Sequence, residues 1–166
     1  LFRGLYKFGD DGSSLVPALA EGYDLSEDGT VYTFHLRPDL KWSDGSPLTA
    51  HDFEYSWKRV LNPELASETA YTLYNYIKGG REHFLDKSIP AEELGVKALD
   101  DNTLEVTLYA PTPYFPSMTA TTAYMPVKKE VVEADDQWEW NDKVYVCNGP
   151  FRVKEMRRDE KFIFEK

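Results

Sequence analysis

The chain has 166 residues, of which 42% are hydrophobic and 14% aromatic, enough to bury the core of one ordinary domain. Its net charge of −10 would repel phosphate backbones and its Lys and Arg residues are scattered, so no nucleic-acid partner is expected. No apolar run approaches the roughly 20 residues that cross a bilayer, and no charged, apolar, then small-residue pattern opens the sequence, so any secretion signal is expected to have been removed or to lie elsewhere.

In chain order, the first regular pattern is a hairpin. Gly22–Leu25 runs into the turn Ser26-Glu27-Asp28-Gly29, and Thr30–Leu36 returns with Tyr32, Phe34 and Leu36 on one face. A helix follows from Thr49, whose hydroxyl suits an N-cap and which precedes Asp52 in the first turn. Its apolar stripe is Phe53, Trp57, Val60 and Leu61, Glu54 and Lys58 can pair on the solvent side, and Asn62-Pro63 ends it. The spacing of Ala70, Leu73, Tyr74 and Ile77 predicts a second helix from about Ser67 to Lys78, with Gly79-Gly80 as its stop.

A second hairpin is expected from Val96–Leu99, the turn Asp100-Asp101-Asn102, and Thr103–Tyr109, where Leu104, Val106 and Leu108 alternate with polar residues. Its likeness to the first hairpin is too slight for a repeat, because turn chemistry alone selects such residues. The Pro-rich stretch from Ala110 to Pro116 reads as a rigid connection with inward-facing rings. A third helix is expected over Lys128–Ala134, and a third strand pair over Phe151–Met156 and Lys161–Glu165, joined by the charged turn Arg157-Arg158-Asp159-Glu160. These elements give a mixed α/β class, α+β-like, with antiparallel strand pairs packed against two or three helices.

No catalytic constellation emerges. His35, His51 and His83 are expected in a strand, a first helical turn and a polar connection, without paired-ligand spacing. Asp100-Asp101 and Asp135-Asp136 read as solvated turn acids. The loop Ser26–Gly29 is too short for calcium, and Gly79-Gly80 lacks the Lys-Ser/Thr of a phosphate loop. Cys147 is the only cysteine and is expected to be a buried, inert thiol; no metal site and no cofactor are expected. The aromatics Tyr71, Tyr74, Tyr76, Trp138 and Trp140 offer apolar area with a polar tip. Tyr74 lies on the apolar stripe, whereas Tyr71 lies off it and can face a ligand.

The stretch LAEGYDLSEDGTVYTFHLRPDLKWSDGSPLTAHDFEYSW, Leu19–Trp57, closely resembles the extracellular solute-binding proteins of peptide, dipeptide and nickel ABC importers. The likeness continues through Asn62-Pro63, LGVKALDDNTLEVTL at Leu94–Leu108, Pro111–Phe115, Met125-Pro126-Val127 and Asn148–Phe151, so it covers essentially the whole chain. The wording around LGVKA and TLEVTL is most similar to the oligopeptide-binding branch.

The resemblance implies a two-lobed periplasmic-binding-protein fold of about three times this length, of which this sequence is similar to the accessory domain beside the first lobe. Segment 1–17 would lead out of that lobe, 18–147 would form the accessory domain, and 148–166 would begin the return. In oligopeptide-binding relatives this domain contributes one notable tyrosine contact just after the Asn-Pro helix end. That position falls on Thr69 here, a departure from the family's tyrosine, with Tyr71 two residues on as the substitute; Thr69 and Tyr71 are therefore the candidate ligand-binding residues that the resemblance implies. The parent protein would act as a monomer, outside the cytoplasm as a surface lipoprotein or free in the periplasm. It would capture peptide and deliver it to an ABC permease in the membrane, without enzymatic chemistry. Dipeptide, nickel-chelate or sugar cargo, and a ligand-sensing role in a regulator, remain the alternatives.

Overall fold

The computed structural model describes residues 1–157 and 160–166; Arg158 and Asp159, in the middle of the expected charged turn, lie outside the described residues. The centre is a four-stranded antiparallel sheet made from the two hairpins read in the sequence. Strand β3 (Ala20–Leu25) pairs with β4 (Val31–Leu36), and β5 (Val96–Asp100) with β6 (Thr103–Thr107). Joining β4 to β6 gives the order β3-β4-β6-β5, with Tyr32 opposite Val106 and Phe34 opposite Leu104.

Each turn is fixed by a carboxylate. Asp28 accepts from the Thr30 amide and from the hydroxyls of Ser26 and Thr30, and Gly29 takes the left-handed φ of 70° that the reversal requires. Asp100 accepts from the Asn102 amide and the Thr103 hydroxyl. The period of two then sends Tyr32, Phe34, Leu36, Leu104 and Val106 to the buried face, while Thr33, His35 and Glu105 stay at least partly exposed.

Helix α1 (Ala50–Val60) covers that face with Phe53 and Trp57, both fully buried. Thr49 and Asp52 form a capping box, in which the Asp52 carboxylate accepts the Thr49 N–H at 2.8 Å. Glu54 serves two elements at once: one oxygen pairs with Lys58 at 2.7 Å, and the other accepts the Ala98 N–H of edge strand β5 at 2.8 Å. Trp57 donates its indole N–H to the carbonyl of Tyr124 at 2.8 Å, and the two rings meet edge to face with centroids 5.0 Å apart. Burying such a side chain stabilises the fold by about 2–3 kcal/mol.

The structure departs from the sequence reading in four places. Strands β1 (Tyr6–Phe8) and β2 (Leu15–Pro17) form a hairpin that the alternation did not reveal, because each has three residues; Leu5 and Tyr6 enter the common core. The helix expected over Ser67–Lys78 is only α2 (Tyr71–Tyr74), since Ile77 bridges to Leu108 and the Lys78 amide donates to Thr107, pulling the backbone into the sheet. Gly79 does not stop a long helix but turns the chain, with φ 80°, into α3 (Gly80–Phe84), and His83 therefore sits in a helix, not in a polar connection. In the Pro-rich stretch, helix α4 (Phe115–Met118) begins with the fully buried Phe115, whereas Tyr114 points outward at 57% exposure.

Helix α5 (Lys129–Ala134) matches its expected span closely. Strands β7 (Arg152–Arg157) and β8 (Lys161–Glu165) form a separate two-stranded sheet, on which Phe162 and Phe164 are each 48% exposed. Cys147 is buried, its thiol 3.2 Å from the Phe151 carbonyl. Among the described residues no helix is long and apolar enough to cross a membrane.

Candidate functional site

Thr69 and Tyr71 follow the end of α1 by way of a compact turn. The hydroxyls of Ser67 and Thr69 lie 3.1 Å apart, and the Thr72 hydroxyl donates to the Thr69 carbonyl at 2.7 Å. These local bonds leave both candidate side chains on the surface, Tyr71 at 55% exposure. From beneath, Ala70 and Leu73 are buried, and the Tyr124 phenol donates to the Thr72 carbonyl at 2.6 Å. Burial pushes the Tyr124 phenol well above its ordinary range, so it remains a donor at any physiological pH. Trp57, Tyr124 and Thr72 thus form a continuous hydrogen-bonded brace from α1 to the segment carrying Thr69 and Tyr71.

Two further residues join this edge and were not singled out in the sequence. Asn75 donates from its side chain to the Tyr71 carbonyl at 2.8 Å and accepts from the Arg81 guanidinium at 3.0 Å. Arg81 also donates its backbone N–H to the Tyr109 hydroxyl at 3.0 Å, and its guanidinium carbon lies 5.7 Å from the centre of the Tyr109 ring. The Tyr109 hydroxyl in turn donates to the Glu82 carboxylate, and that bond holds the Glu82 pKa low. Burial, and then the same bond, raise the pKa of Tyr109. Arg81 carried no sequence signal, because it lies beyond Gly79-Gly80 in what read as polar connection.

The edge presents hydroxyls, an amide and a guanidinium, groups that recognise peptide-like polar surfaces by hydrogen bonding. Surface clefts lie around it, and Glu82 and Tyr109, which stand against Arg81, also line the first of them. One, of about 520 Å³, is lined by residues including Lys78, Glu82, Glu93 and Tyr109; another, of about 420 Å³, by residues including Trp42, Asp52, Tyr55 and Lys128. In the second, burial raises the Asp52 pKa, against the opposing Thr49 N–H. The Trp42 indole N–H is near enough to help lower it, yet has no partner at hydrogen-bond distance.

Each histidine is engaged locally: His35 with Asp24 at 2.7 Å, His51 with Asp101 at 3.6 Å, and His83 with the Ile89 carbonyl at 2.8 Å. Among the described residues, no group of three His, Cys, Asp or Glu side chains could hold a metal ion.

The braced antiparallel sheet and the helices packed on it make this a mixed α/β domain, matching the solute-binding-protein fold of its structural neighbours. The family model for bacterial extracellular solute-binding proteins, family 5 Middle, matches residues 14–166, and the chain belongs to that family. It is 42% identical, over its whole length, to the periplasmic oligopeptide-binding protein OppA of Escherichia coli K12, and 39% identical to the dipeptide-binding protein DppE of Bacillus subtilis 168. It spans 30% of the length of each of these relatives.

Among solved structures it is similar to a periplasmic oligopeptide-binding protein of Borrelia burgdorferi, with TM-score 0.94 at 38% identity, covering all of this chain and 33% of that one. It also resembles Haemophilus influenzae OppA in complex with RPPGFSPFR, with TM-score 0.92 at 36% identity, covering all of this chain and 32% of that one.

Proposed function

We propose that this chain is the accessory domain of a longer binding protein that captures oligopeptides for an ABC importer. The observation that carries the reading is the end-to-end likeness to oligopeptide-binding proteins, in sequence and in fold, one of them bound to a peptide. In this reading segment 1–17 leads out of the first lobe, 18–147 is the accessory domain, and 148–166 begins the return. The parent protein works as a monomer outside the cytoplasm, lipid-anchored or free in the periplasm, and passes peptide to a membrane permease without covalent chemistry.

The domain's own part is mainly structural. In this reading its sheet and α1 serve as the framework, and the exposed Thr69 and Tyr71 would be its ligand-facing residues. Main-chain hydrogen bonds and the remaining pocket residues would come from the rest of the protein.

The test is calorimetry on the full-length protein with defined oligopeptides and dipeptides, together with mass spectrometry of whatever ligand co-purifies. Binding of peptides with four or more residues supports the reading, and selective binding of a dipeptide, a sugar or a nickel chelate overturns the cargo. The 166-residue chain alone is expected to show negligible affinity; micromolar binding would refute its mainly structural role. Deleting residues 18–146 from the full protein is expected to impair uptake, and unchanged transport would exclude an essential role for the domain.

A further inference from the structure

We infer that Arg81 reads a carboxylate on the bound peptide and biases the parent protein toward peptides with an acidic side chain beside Tyr71. The inference rests on the peptide-binding reading and adds to it a charge preference and a residue.

Three observations carry it. First, Arg81 is linked to the Tyr71 edge through a single side chain, since Asn75 bonds the Tyr71 carbonyl on one side and the guanidinium on the other. Second, the guanidinium is held in place by that amide and by the Tyr109 ring, while Glu82 holds Tyr109 through its hydroxyl. A planar guanidinium positioned this way loses less freedom when it grips a carboxylate with two parallel N–H bonds. Third, among the described residues no carboxylate oxygen lies within 4.0 Å of Arg81, although this chain carries 29 Asp and Glu residues. Glu82, the nearest acid in sequence, is close enough for its charge to act on Arg81 but spends its hydrogen bond on Tyr109, which leaves guanidinium donors on Arg81 free at the surface.

An exposed, pre-positioned arginine of this kind should favour the acidic peptide by about fivefold, the upper range for exposed ion pairs. The experiment measures the full-length protein by calorimetry with alanine-based pentapeptides in which a Gln is exchanged for Glu at each position in turn. The expected result is one position at which Glu binds about fivefold more tightly than Gln. The preference should shrink when salt is raised from 0.05 to about 0.5 M. Arg81→Gln should abolish it, bringing the ratio of Glu-peptide to Gln-peptide affinity to about one at that position, and Arg81→Lys should retain only part of it.

Equal affinity for Glu and Gln peptides at every position overturns the inference and leaves the peptide-binding reading intact. A preference that survives in Arg81→Gln overturns it in the same way. If no pentapeptide binds, the reading beneath it fails, and the inference with it.

Discussion

Two segments whose apolar residues both recur at helical spacing met different fates. Phe53, Trp57 and Val60 became one stripe of an 11-residue helix with Leu61 as its C-cap, whereas Ala70, Leu73, Tyr74 and Ile77 became a turn, a four-residue helix and a sheet bridge. The first segment carries its own boundaries: a capping box at Thr49 and Asp52, the Glu54–Lys58 pair, and Asn62-Pro63 after the last turn. The second has no side-chain cap, and Thr69, Tyr71, Thr72, Tyr74, Asn75 and Tyr76 are all weak helix formers. With little intrinsic preference to overcome, Lys78 could pair with both Thr107 and Gly95 through its backbone. A common stripe therefore locates burial, while caps and propensity decide whether a helix persists.

The comparison can be broken at its strongest point by Trp57→Ala. This should destabilise the chain by about 3–5 kcal/mol in denaturant unfolding, because a fully buried ring and its bond to the Tyr124 carbonyl are lost together. A loss below about 1 kcal/mol would show that α1 does not anchor the core through Trp57.

Gly79→Ala tests the other side. Gly79 has φ 80°, and an added Cβ would lie 2.8 Å from Ile89 Cδ1 and 3.2 Å from the Glu93 carbonyl, so a loss of about 1–2 kcal/mol is expected. Increased helicity by circular dichroism without lost stability would mean that the segment accepts the long helix its spacing suggested.

Tyr124→Phe removes only the hydroxyl that ties the core to Thr72. It should cost about 1 kcal/mol by thermal unfolding and speed hydrogen exchange in residues 69–75. Uniform exchange across the chain would argue against a brace specific to that edge.

The smallest effect concerns acid. Burial raises the Asp44 pKa, but bonds from Lys128 and Ser46 outweigh it and hold the group at about 2, below its ordinary 3.8. The folded pKa is depressed, so the stabilising contribution is complete above about pH 4 and is lost as pH falls toward 2. Asp52 has the opposite sign: its pKa is raised, so burying its charge costs stability at neutral pH, and that cost disappears as the group protonates. Asp44→Asn should flatten the acid limb of a stability–pH curve, and an unchanged limb would assign acid sensitivity to other groups.

Both long hairpins, α1 and α5 were legible because local chemistry and tertiary contacts agree there. Asp28 and Asp100 make their turns with neighbours two or three residues away, and strand alternation fixes the buried face. The short β1–β2 hairpin was not legible, since three residues hold too little pattern to reveal a period. At the candidate edge, Thr69 and Tyr71 could be named from the chain, but Asn75 and Arg81 could not, because their roles depend on contacts across the Gly79 turn.

By itself, then, the sequence determined the solute-binding family, the hairpins, and the capped helix, all set by ordered motifs and by interactions within a few residues. Tertiary structure alone decided how far the second helix runs and what stands beside Tyr71. There the local preference is weak, and the sheet's unpaired backbone groups, along with a guanidinium brought from ten residues away, supply the larger free-energy differences.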